Sequence, residues 1–420
     1  MFLKNMKWYN RLQFTVLCLA LALAAVDWGL GLWMSLALVL VSLVKMAAER
    51  HVGNPSLDTP MRVALLAVVA YWLCLVVSIL WSSDVDRALR EIGCEAVLMI
   101  APLCVLLSDM SYIRENHLRT MFYALLLAVA GVFVYDWVTG TFEDKNHTYV
   151  AMYILPVAAF VYRELALYRG AMPLWHRLAL YVAGLMAIVF LIYIDSRTGI
   201  LCLYGIEILC GVHLALRRRW WHGTLLAVLL LAFTYTAEKT LPNHNSRLSV
   251  ATVTSVTADD ELVEAVAAGD TVLATGPLYG KYYDARMAIN ETALKTIADR
   301  PVFGYGAGDG TAALIERYGV EGYQSLKEQH LNAHNQYAET AIAVGVVGLL
   351  VLLWWLAMPL FVAWRRKAGL WEVLVLTFIV MFSLLFESIL ERQMGAQFVG
   401  LLYAIMILII SSSCRCAANR

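Results

Sequence analysis

The chain consists mainly of long apolar runs separated by short polar connections. Runs that approach or exceed the ~18–20 residues needed to cross a bilayer predict membrane-spanning helices. We place about twelve of them, at 12–26, 29–47, 62–81, 92–108, 119–138, 148–166, 177–194, 199–216, 220–237, 337–363, 371–387 and 395–411. The pattern predicts an all-α polytopic membrane protein. Its parts would be helices 1–9 (residues 1–237), a loop domain (238–336), and helices 10–12 with a tail (337–420).

The long polar stretch shows helical periodicity and no strand alternation. Residues 259–268 begin with acidic side chains and place apolar ones at helical spacing. A second helix is expected over 284–299, with Asp284 as its N-cap and Pro301 just beyond its end. Its apolar face would consist of Met287, Leu294 and Ile297. We therefore expect a mainly helical domain on the bundle.

Composition supports a membrane protein. Hydrophobic residues make up 61% and charged residues 15% of the chain, and the mean hydropathy is +0.68, which excludes a soluble globular protein. Basic and acidic residues both number 32, so the net charge gives no information about partners, and no nucleic-acid partner is expected. None of the eight cysteines lies in the loop domain, so no disulfide framework is expected there.

Lysine and arginine in the short connections are distributed unequally between the two sides of the membrane. One side carries clusters such as Arg217–Arg219 and Arg365–Lys367, whereas the other carries scattered residues such as Arg87 and Lys145. Basic residues are enriched in cytoplasmic connections. The asymmetry therefore predicts cytoplasmic termini and an external loop domain.

The external connections are short except for the loop domain, and they contain several polar residues that could carry chemistry. In chain order they are Asn146, His147, Asp195, Ser196, Arg197, Arg286, His330, His334, Asn335, Glu387, Glu391 and Arg392. Arg197 lies between two spans with almost no loop, which favours an anionic ligand, a pairing with Asp195 or a snorkelling role. Arg286 would bind an anion at a helix start or stay solvated. Two arginines on one face indicate a di-anionic or pyrophosphate ligand.

His334 lies where the loop domain enters the tenth span. Helical spacing puts it on a stripe with Ala338, Ala341, Gly345 and Gly348. Small residues at such positions let another transmembrane helix approach closely. A histidine at this point fits a general base, and it also fits a helix-capping residue.

His330 and His334 also have the four-residue spacing that puts two imidazoles on one helix face for zinc. Leu331 stands where a zinc protease of this type has its general-base glutamate, and the further ligand candidates are His244 and Glu339. We therefore expect no metal ion.

Four glycines lie close together in the loop domain, at positions 304, 306, 308 and 310. Asp309 interrupts the dinucleotide-binding pattern, and no Lys-Ser/Thr pair follows to make a P-loop. The cluster instead predicts a sharp turn that lets the backbone approach a ligand or the membrane surface.

Four fragments resemble the O-antigen ligase and O-antigen polymerase superfamily. They are Asn146 before an apolar span, Ser196-Arg197-Thr198-Gly199 after a span, Arg286 followed by Pro301-x-x-Gly304-x-Gly306-x-Gly308, and His334-Asn335 followed by Gly345-x-x-Gly348. Their order, the number of spans and the single large external loop make the combination specific. The likeness covers about residues 120–400.

The resemblance implies a glycosyltransferase of the bacterial inner membrane that works at the periplasmic face without metal or cofactor. Its donor would be a glycan on undecaprenyl pyrophosphate, and its acceptor a sugar hydroxyl of lipid A–core, so that lipopolysaccharide is the product. By this resemblance, Arg197 and Arg286 would hold the pyrophosphate, and His334 would accept the proton of the acceptor hydroxyl. Supporting roles would fall to Asn146, Ser196, Tyr305, Asn335, Glu387 and Arg392.

Other functions stay open at this point. An O-antigen polymerase would use the same donor and extend another lipid-linked glycan. A transporter or flippase of lipid-linked sugars would need charge near the bundle midplane, where Glu207 is nearly the only charged residue. A zinc hydrolase would lose its activity on chelation.

Overall fold

The computed structural model describes residues 6–140, 147–168, 172–194, 196–216 and 285–418, and the isolated helical residues 228, 232, 235 and 236. Across these residues all regular secondary structure is helical and strands are absent. Eight of the helices are long and apolar enough to cross a membrane. The protein is therefore the all-α polytopic membrane protein that its hydrophobic pattern predicts.

The first part of the bundle contains α1 (Trp8–Val26), α2 (Trp28–Glu49), α3 (Thr59–Ser78), α4 (Val85–Ala96), α5 (Ile100–Leu107), α6 (Glu115–Thr139), α7 (His147–Tyr168), α8 (Leu174–Tyr193) and α9 (Arg197–Leu216). The second part contains α10 (Ala285–Asp299), α11 (Gly310–Val320), α12 (Gln324–Glu328), α13 (Gln336–Arg366), α14 (Leu370–Phe386) and α15 (Gln393–Ala418). Short 3₁₀ helices occur at Ile79–Trp81, Val97–Met99 and Ile389–Glu391.

Each predicted span that falls on described residues corresponds to one helix, except 92–108. There the chain forms α4, the 3₁₀ turn Val97–Met99 and the short α5. Helix α4 starts outside the predicted span, because the Asp84 side chain accepts a hydrogen bond from the Arg87 backbone N–H at 2.9 Å and caps it. The predicted span 220–237, apart from its isolated helical residues, and the predicted helix 259–268 lie outside the described residues.

Helix α15, the last in the chain, forms the centre of the bundle. It packs against α1, α2, α3, α4, α5, α6, α13 and α14. Of its apolar membrane-spanning segment, 94% is buried inside the protein. The Tyr403 hydroxyl lies 2.8 Å from the Ala64 carbonyl on α3 and 3.1 Å from the Trp355 carbonyl on α13. This central helix therefore fixes the relative positions of α3 and α13, two helices that contribute residues next to the candidate site described below.

Helix α13 is interrupted at Gly345, which has φ 66° and ψ −169°. The break frees backbone groups that a continuous helix would pair internally. The chain at 301–306 pairs with them: the N–H groups of Tyr305 and Gly306 donate to the carbonyls of Ile342 (2.9 Å) and Ala343 (2.8 Å). In return, the Val346 N–H donates to the Pro301 carbonyl at 2.8 Å. The predicted stripe is therefore wrong at Gly345, because a loop approaches there and not another transmembrane helix.

The glycine cluster has a structural role that the sequence reading missed. After pairing with α13, the same loop turns to α3: the Ala307 N–H donates to Ser78 Oγ at 3.0 Å, and the Gly308 N–H donates to Ser82 Oγ at 3.1 Å. A side chain at Gly306, where φ is +98°, would collide with Ser82. The turn therefore makes a close approach to α13 and to the end of α3.

Helix α10 occupies the predicted position but buries a different face. Met287 and Leu294 are 53% and 68% exposed among the described residues. The buried positions are Ala288, Ile289, Thr292, Ala293 and Thr296. The predicted apolar face is therefore wrong, because α10 packs against α11 and α13 through small side chains, which allow the helices to lie close together.

Candidate active site

His334 lies in a tight turn, residues 332–335, which we call the His334 turn. Its φ of 45° is a left-handed conformation that a residue with a side chain adopts at a cost of roughly 1–3 kcal/mol. Asn332 Oδ1 accepts a hydrogen bond from the His334 N–H at 3.2 Å, and the Glu339 carboxylate accepts one from the Ala333 N–H. Asn335 Oδ1 then accepts from the N–H groups of Tyr337 and Ala338 and so caps α13. Side chains on both sides of the turn thus stabilise its conformation.

His334 pairs with the residue that ends α14. Its Nδ1 atom lies 3.2 Å from Glu387 Oε1 and 3.5 Å from Oε2. The Glu387 side chain is 13% exposed and that of His334 is 28% exposed, so the pair is sheltered but open to a ligand on one side. Burial alone would raise the pKa of Glu387, but the hydrogen bond and charge of His334, together with the charge of Arg286, lower it below its usual value.

Arg286 connects three elements at this point. It belongs to the first turn of α10, and its exposed side chain donates through Nη1 to the carbonyls of His334 (3.3 Å) and Phe386 (3.1 Å). The predicted base and one predicted pyrophosphate-binding arginine are therefore neighbours, together with the predicted supporting residue Glu387. A guanidinium held in this way puts a fixed positive charge beside the imidazole.

Two further contacts tie the His334 turn to the chain that follows α14. Asn332 Nδ2 donates to Glu391 Oε2 at 2.9 Å, and the Leu390 N–H donates to Gln336 Oε1 at 2.7 Å. With the His334–Glu387 pair, they join two segments more than 50 residues apart in sequence. The geometry of the candidate site thus depends on the packing of α13 against α14.

The arrangement resembles the orientation of a general base by a carboxylate. A hydrogen bond from Nδ1–H to the Glu387 carboxylate favours the tautomer of His334 that carries its hydrogen on Nδ1. The other ring nitrogen, Nε2, is then free to accept a proton. A hydroxyl positioned at Nε2 would lose its proton to the ring. The negative charge of Glu387 would stabilise the imidazolium that results.

The other predicted site residues have varied positions. Ser196 Oγ accepts from the Gly199 N–H at 3.1 Å and caps α9, which begins at Arg197. Asn335 caps α13, and the Arg392 carbonyl accepts from Gly395 and Ala396 at the start of α15. Asn146 and the side chain of Arg197 lie outside the described residues.

Tyr305 is not part of the His334 turn. Its backbone N–H pairs with α13 at the Gly345 break, and its ring lies 4.6 Å from the Arg300 guanidinium carbon. This position is about two helical turns along α13 from His334. Tyr305 therefore supports the loop that braces α13.

The structural premise for a zinc site is wrong. His330 and His334 both have left-handed φ values, of 52° and 45°, and neither lies in a helix. His330 instead follows the end of α12, where its N–H donates to the Lys327 carbonyl at 3.1 Å. In the part of the chain that the structure describes, no group of three His, Cys, Asp or Glu residues is arranged to hold a metal ion.

Two residues shape the turn that the sequence did not connect with it: Asn332, which was given no role, and Glu339, which was considered only as a candidate zinc ligand. The sequence could have indicated a role for Glu339, because an ionisable residue one turn inside an otherwise apolar span is costly unless it has a partner. Asn332 carried no such indication, since asparagine is common in turns of every kind.

Comparison with known families adds a result independent of this geometry. Residues 182–353 match the protein family described as O-Antigen ligase. The matched segment begins in α8 and ends in α13, so it contains Arg197, Arg286 and His334 and stops before Glu387. No curated protein matches the chain. The family match agrees with the resemblance seen in the sequence: residues 182–353 of this membrane protein are similar to the O-antigen ligase family.

Proposed function

We propose that this protein is an O-antigen ligase. It would transfer a glycan from undecaprenyl pyrophosphate to a sugar hydroxyl of lipid A–core at the periplasmic face of the bacterial inner membrane. The observation that carries the proposal is the grouping of His334, Glu387 and Arg286 at one turn between the helices of a multi-helix membrane protein. This grouping offers a base, a group that orients the base, and a fixed positive charge for a phosphate.

In the proposed reaction the acceptor hydroxyl lies against His334 Nε2. Its oxygen attacks the anomeric carbon of the donor sugar while its proton passes to Nε2. The bond between the anomeric carbon and the phosphate oxygen breaks, and undecaprenyl pyrophosphate leaves with the electron pair. One in-line displacement inverts the anomeric centre. Proton transfer to a positioned base contributes about 10²–10⁴-fold to such a rate.

Arg286 and Arg197 would stabilise the charge that develops on the pyrophosphate. Pyrophosphate is already a good leaving group, so fixed cations can replace a protonated acid or a metal ion. Arg286 is held by two backbone carbonyls beside His334, which supports this role. Arg197 begins α9, so a phosphate bound to it would also meet the N–H groups at a helix start.

The test uses the purified full-length protein in detergent with an undecaprenyl-pyrophosphate glycan, lipid A–core and EDTA. A shifted lipopolysaccharide band on a gel is expected for the wild type, and none for His334→Ala. His330→Ala is the matched control, because His330 is an exposed histidine of the same segment, and it should retain transfer. Retained transfer by His334→Ala would overturn the base assignment.

The same assay separates the competing functions. A ladder formed from the donor alone would identify a polymerase, and activity that EDTA removes and zinc restores would contradict the arginine-based mechanism. Arg286→Lys and Arg197→Lys should both lose most activity, because a lysine lacks the two-pronged geometry that matches a phosphate. If both lysine variants transfer as well as the wild type, the pyrophosphate assignment is wrong.

A further inference from the structure

A polar cavity lies beneath the His334 turn, between α3, α4, α11 and α13. Four glutamates line it: Glu91, Glu95, Glu339 and Glu391. The remaining lining residues include Tyr71 and Gln336, and none of the lining residues is a lysine or arginine. So many carboxylates in one cavity repel each other unless some carry protons.

Two of these glutamates hold the His334 turn directly. The Glu339 carboxylate accepts a hydrogen bond from the Ala333 N–H, and Glu391 Oε2 accepts one from Asn332 Nδ2 at 2.9 Å. Asn332 in turn accepts from the His334 N–H through Oδ1. Glu339 is 5% exposed, so its contact with the turn is shielded from water.

Glu339 and Glu391 line the same cavity and bond to neighbouring residues of the His334 turn, Ala333 and Asn332. Two ionised carboxylates in a cavity without a basic lining residue repel each other, so the pair is favoured when one member carries a proton. Burial, and then the charge of Glu339, raise the pKa of Glu391 well above its usual range. Both effects favour the presence of a proton on the pair.

We infer that Glu339 and Glu391 are positioning residues of the transfer reaction, which share one proton and thereby hold the His334 turn in its left-handed conformation. They act through Ala333 and Asn332 and touch neither substrate. The inference rests on the proposed function of His334 as a base. It adds a condition to that function: the site is assembled only while the pair keeps its proton.

The other groups facing the pair set the direction of the pH effect. Glu91 and Glu95 approach from α4, and Tyr71 approaches from α3. Glu91 is paired with Arg87 at 2.8 Å, whereas Glu95 has one oxygen without a hydrogen-bond partner among the described residues. Loss of the shared proton would add a negative charge to a cavity that lacks a basic residue. The pair would separate as the pH rises, and the His334 turn would loosen.

The test compares alanine and glutamine at both positions. Glutamine keeps one acceptor oxygen for the turn and supplies a permanent donor in place of the shared proton. Glu339→Ala and Glu391→Ala should lower kcat by about 10²-fold with little change in KM, since the base is misplaced and substrate contacts remain. Glu339→Gln and Glu391→Gln should retain most activity and lose the alkaline fall in kcat. Glu91→Gln, which lines the same cavity and does not contact the turn, should keep the wild-type kcat at neutral pH and should still show an alkaline fall in kcat.

Hydrogen exchange of residues 329–339, measured by mass spectrometry at one pH, gives a readout independent of activity. Faster exchange is expected in the alanine variants, and wild-type exchange in the glutamine variants and in Glu91→Gln. If the alanine variants do not fold, the glutamine variants alone test the inference. An alkaline fall in kcat that is the same in the glutamine variants as in the wild type would overturn it. A wild type that transfers nothing would refute the proposed function. A wild type that transfers, with alanine variants equal to it in kcat and exchange, would refute only the inference.

Discussion

The Nδ1 atom of His334 lies 3.2 Å from Oε1 of Glu387, and the two residues lie at the ends of two different helices. His334 precedes α13, whereas Glu387 follows α14 in an extended conformation with φ −154°. Their contact can exist only when the two helices are packed in the correct register. It therefore links the folding of the bundle to the orientation of the proposed base.

Replacement of Glu387 by glutamine should lower kcat and leave KM nearly unchanged. The amide can present either a donor or an acceptor to Nδ1, and it cannot stabilise an imidazolium by charge. We expect a loss of about 10- to 100-fold in the transfer assay, the range found when a supporting hydrogen bond is removed. Glu316→Gln, an exposed glutamate on α11, is the control and should be neutral. A Glu387→Gln enzyme as fast as the wild type would contradict the orienting role.

The lowered pKa of Glu387 predicts how its stabilising effect depends on pH. A carboxylate with a lowered pKa in the folded state contributes stability that is complete above its unfolded pKa and is lost as the pH falls through the folded value. The apparent Tm of the wild type should exceed that of Glu387→Gln by a constant amount down to about pH 5, and the difference should shrink only below about pH 4. Thermal unfolding in detergent measures this, and a difference already lost at pH 6 would refute it.

Replacement of Gly345 by alanine should destabilise the protein strongly. The residue has φ 66°, and an added Cβ would collide with the backbone of Val302 and Phe303. The left-handed conformation alone costs roughly 1–3 kcal/mol for a residue with a side chain, and the collision adds to it. The apparent Tm should fall, and exchange of the amides of residues 301–306 should rise.

Gly131→Ala is the matched control for this substitution. It lies within α6, and an added Cβ would meet nothing within 4 Å among the described residues. Alanine is the better helix former by about 0.5–1 kcal/mol, so this variant should be neutral or more stable. Equal destabilisation by both substitutions would contradict a specific role for the α13 break.

Asp309 should be the main attachment of the loop domain to the start of α4. Its Oδ2 accepts from the Ser83 N–H at 2.5 Å, and its Oδ1 accepts from Ser83 Oγ (2.9 Å) and from the Asp84 N–H (3.1 Å). Burial would raise the pKa of Asp309, but these hydrogen bonds lower it. Asp309→Ala should cost about 1–3 kcal/mol in unfolding free energy, because several donors lose a charged acceptor. Asp86→Ala, an exposed acid two residues beyond Asp84, should cost little.

The positions of many helices in this protein could be predicted from its sequence, because a lipid bilayer places the same requirement on every segment that crosses it. A segment that crosses the bilayer must satisfy its own backbone and be apolar over about 20 residues, so hydropathy alone locates α1, α2, α3, α6 and α13. The rule failed at 92–108, where charged residues of α4 and a 3₁₀ turn divide the segment. His334 and Glu387 could also be selected as candidate site residues, since each is a polar residue beside an apolar span, whereas Arg286 was selected as a cation in the first turn of a predicted loop helix.

Only the tertiary structure decided how these parts meet. Hydropathy did not distinguish the almost completely buried α15 from the more exposed α6, because both are apolar along their length. The pairing of His334 with Glu387, the break at Gly345 and the bonds of Glu339 and Glu391 to the His334 turn all depend on the packing of separate segments. Local patterns report whether a residue prefers lipid or water. Which residue it then touches is settled by the packing of one helix against another.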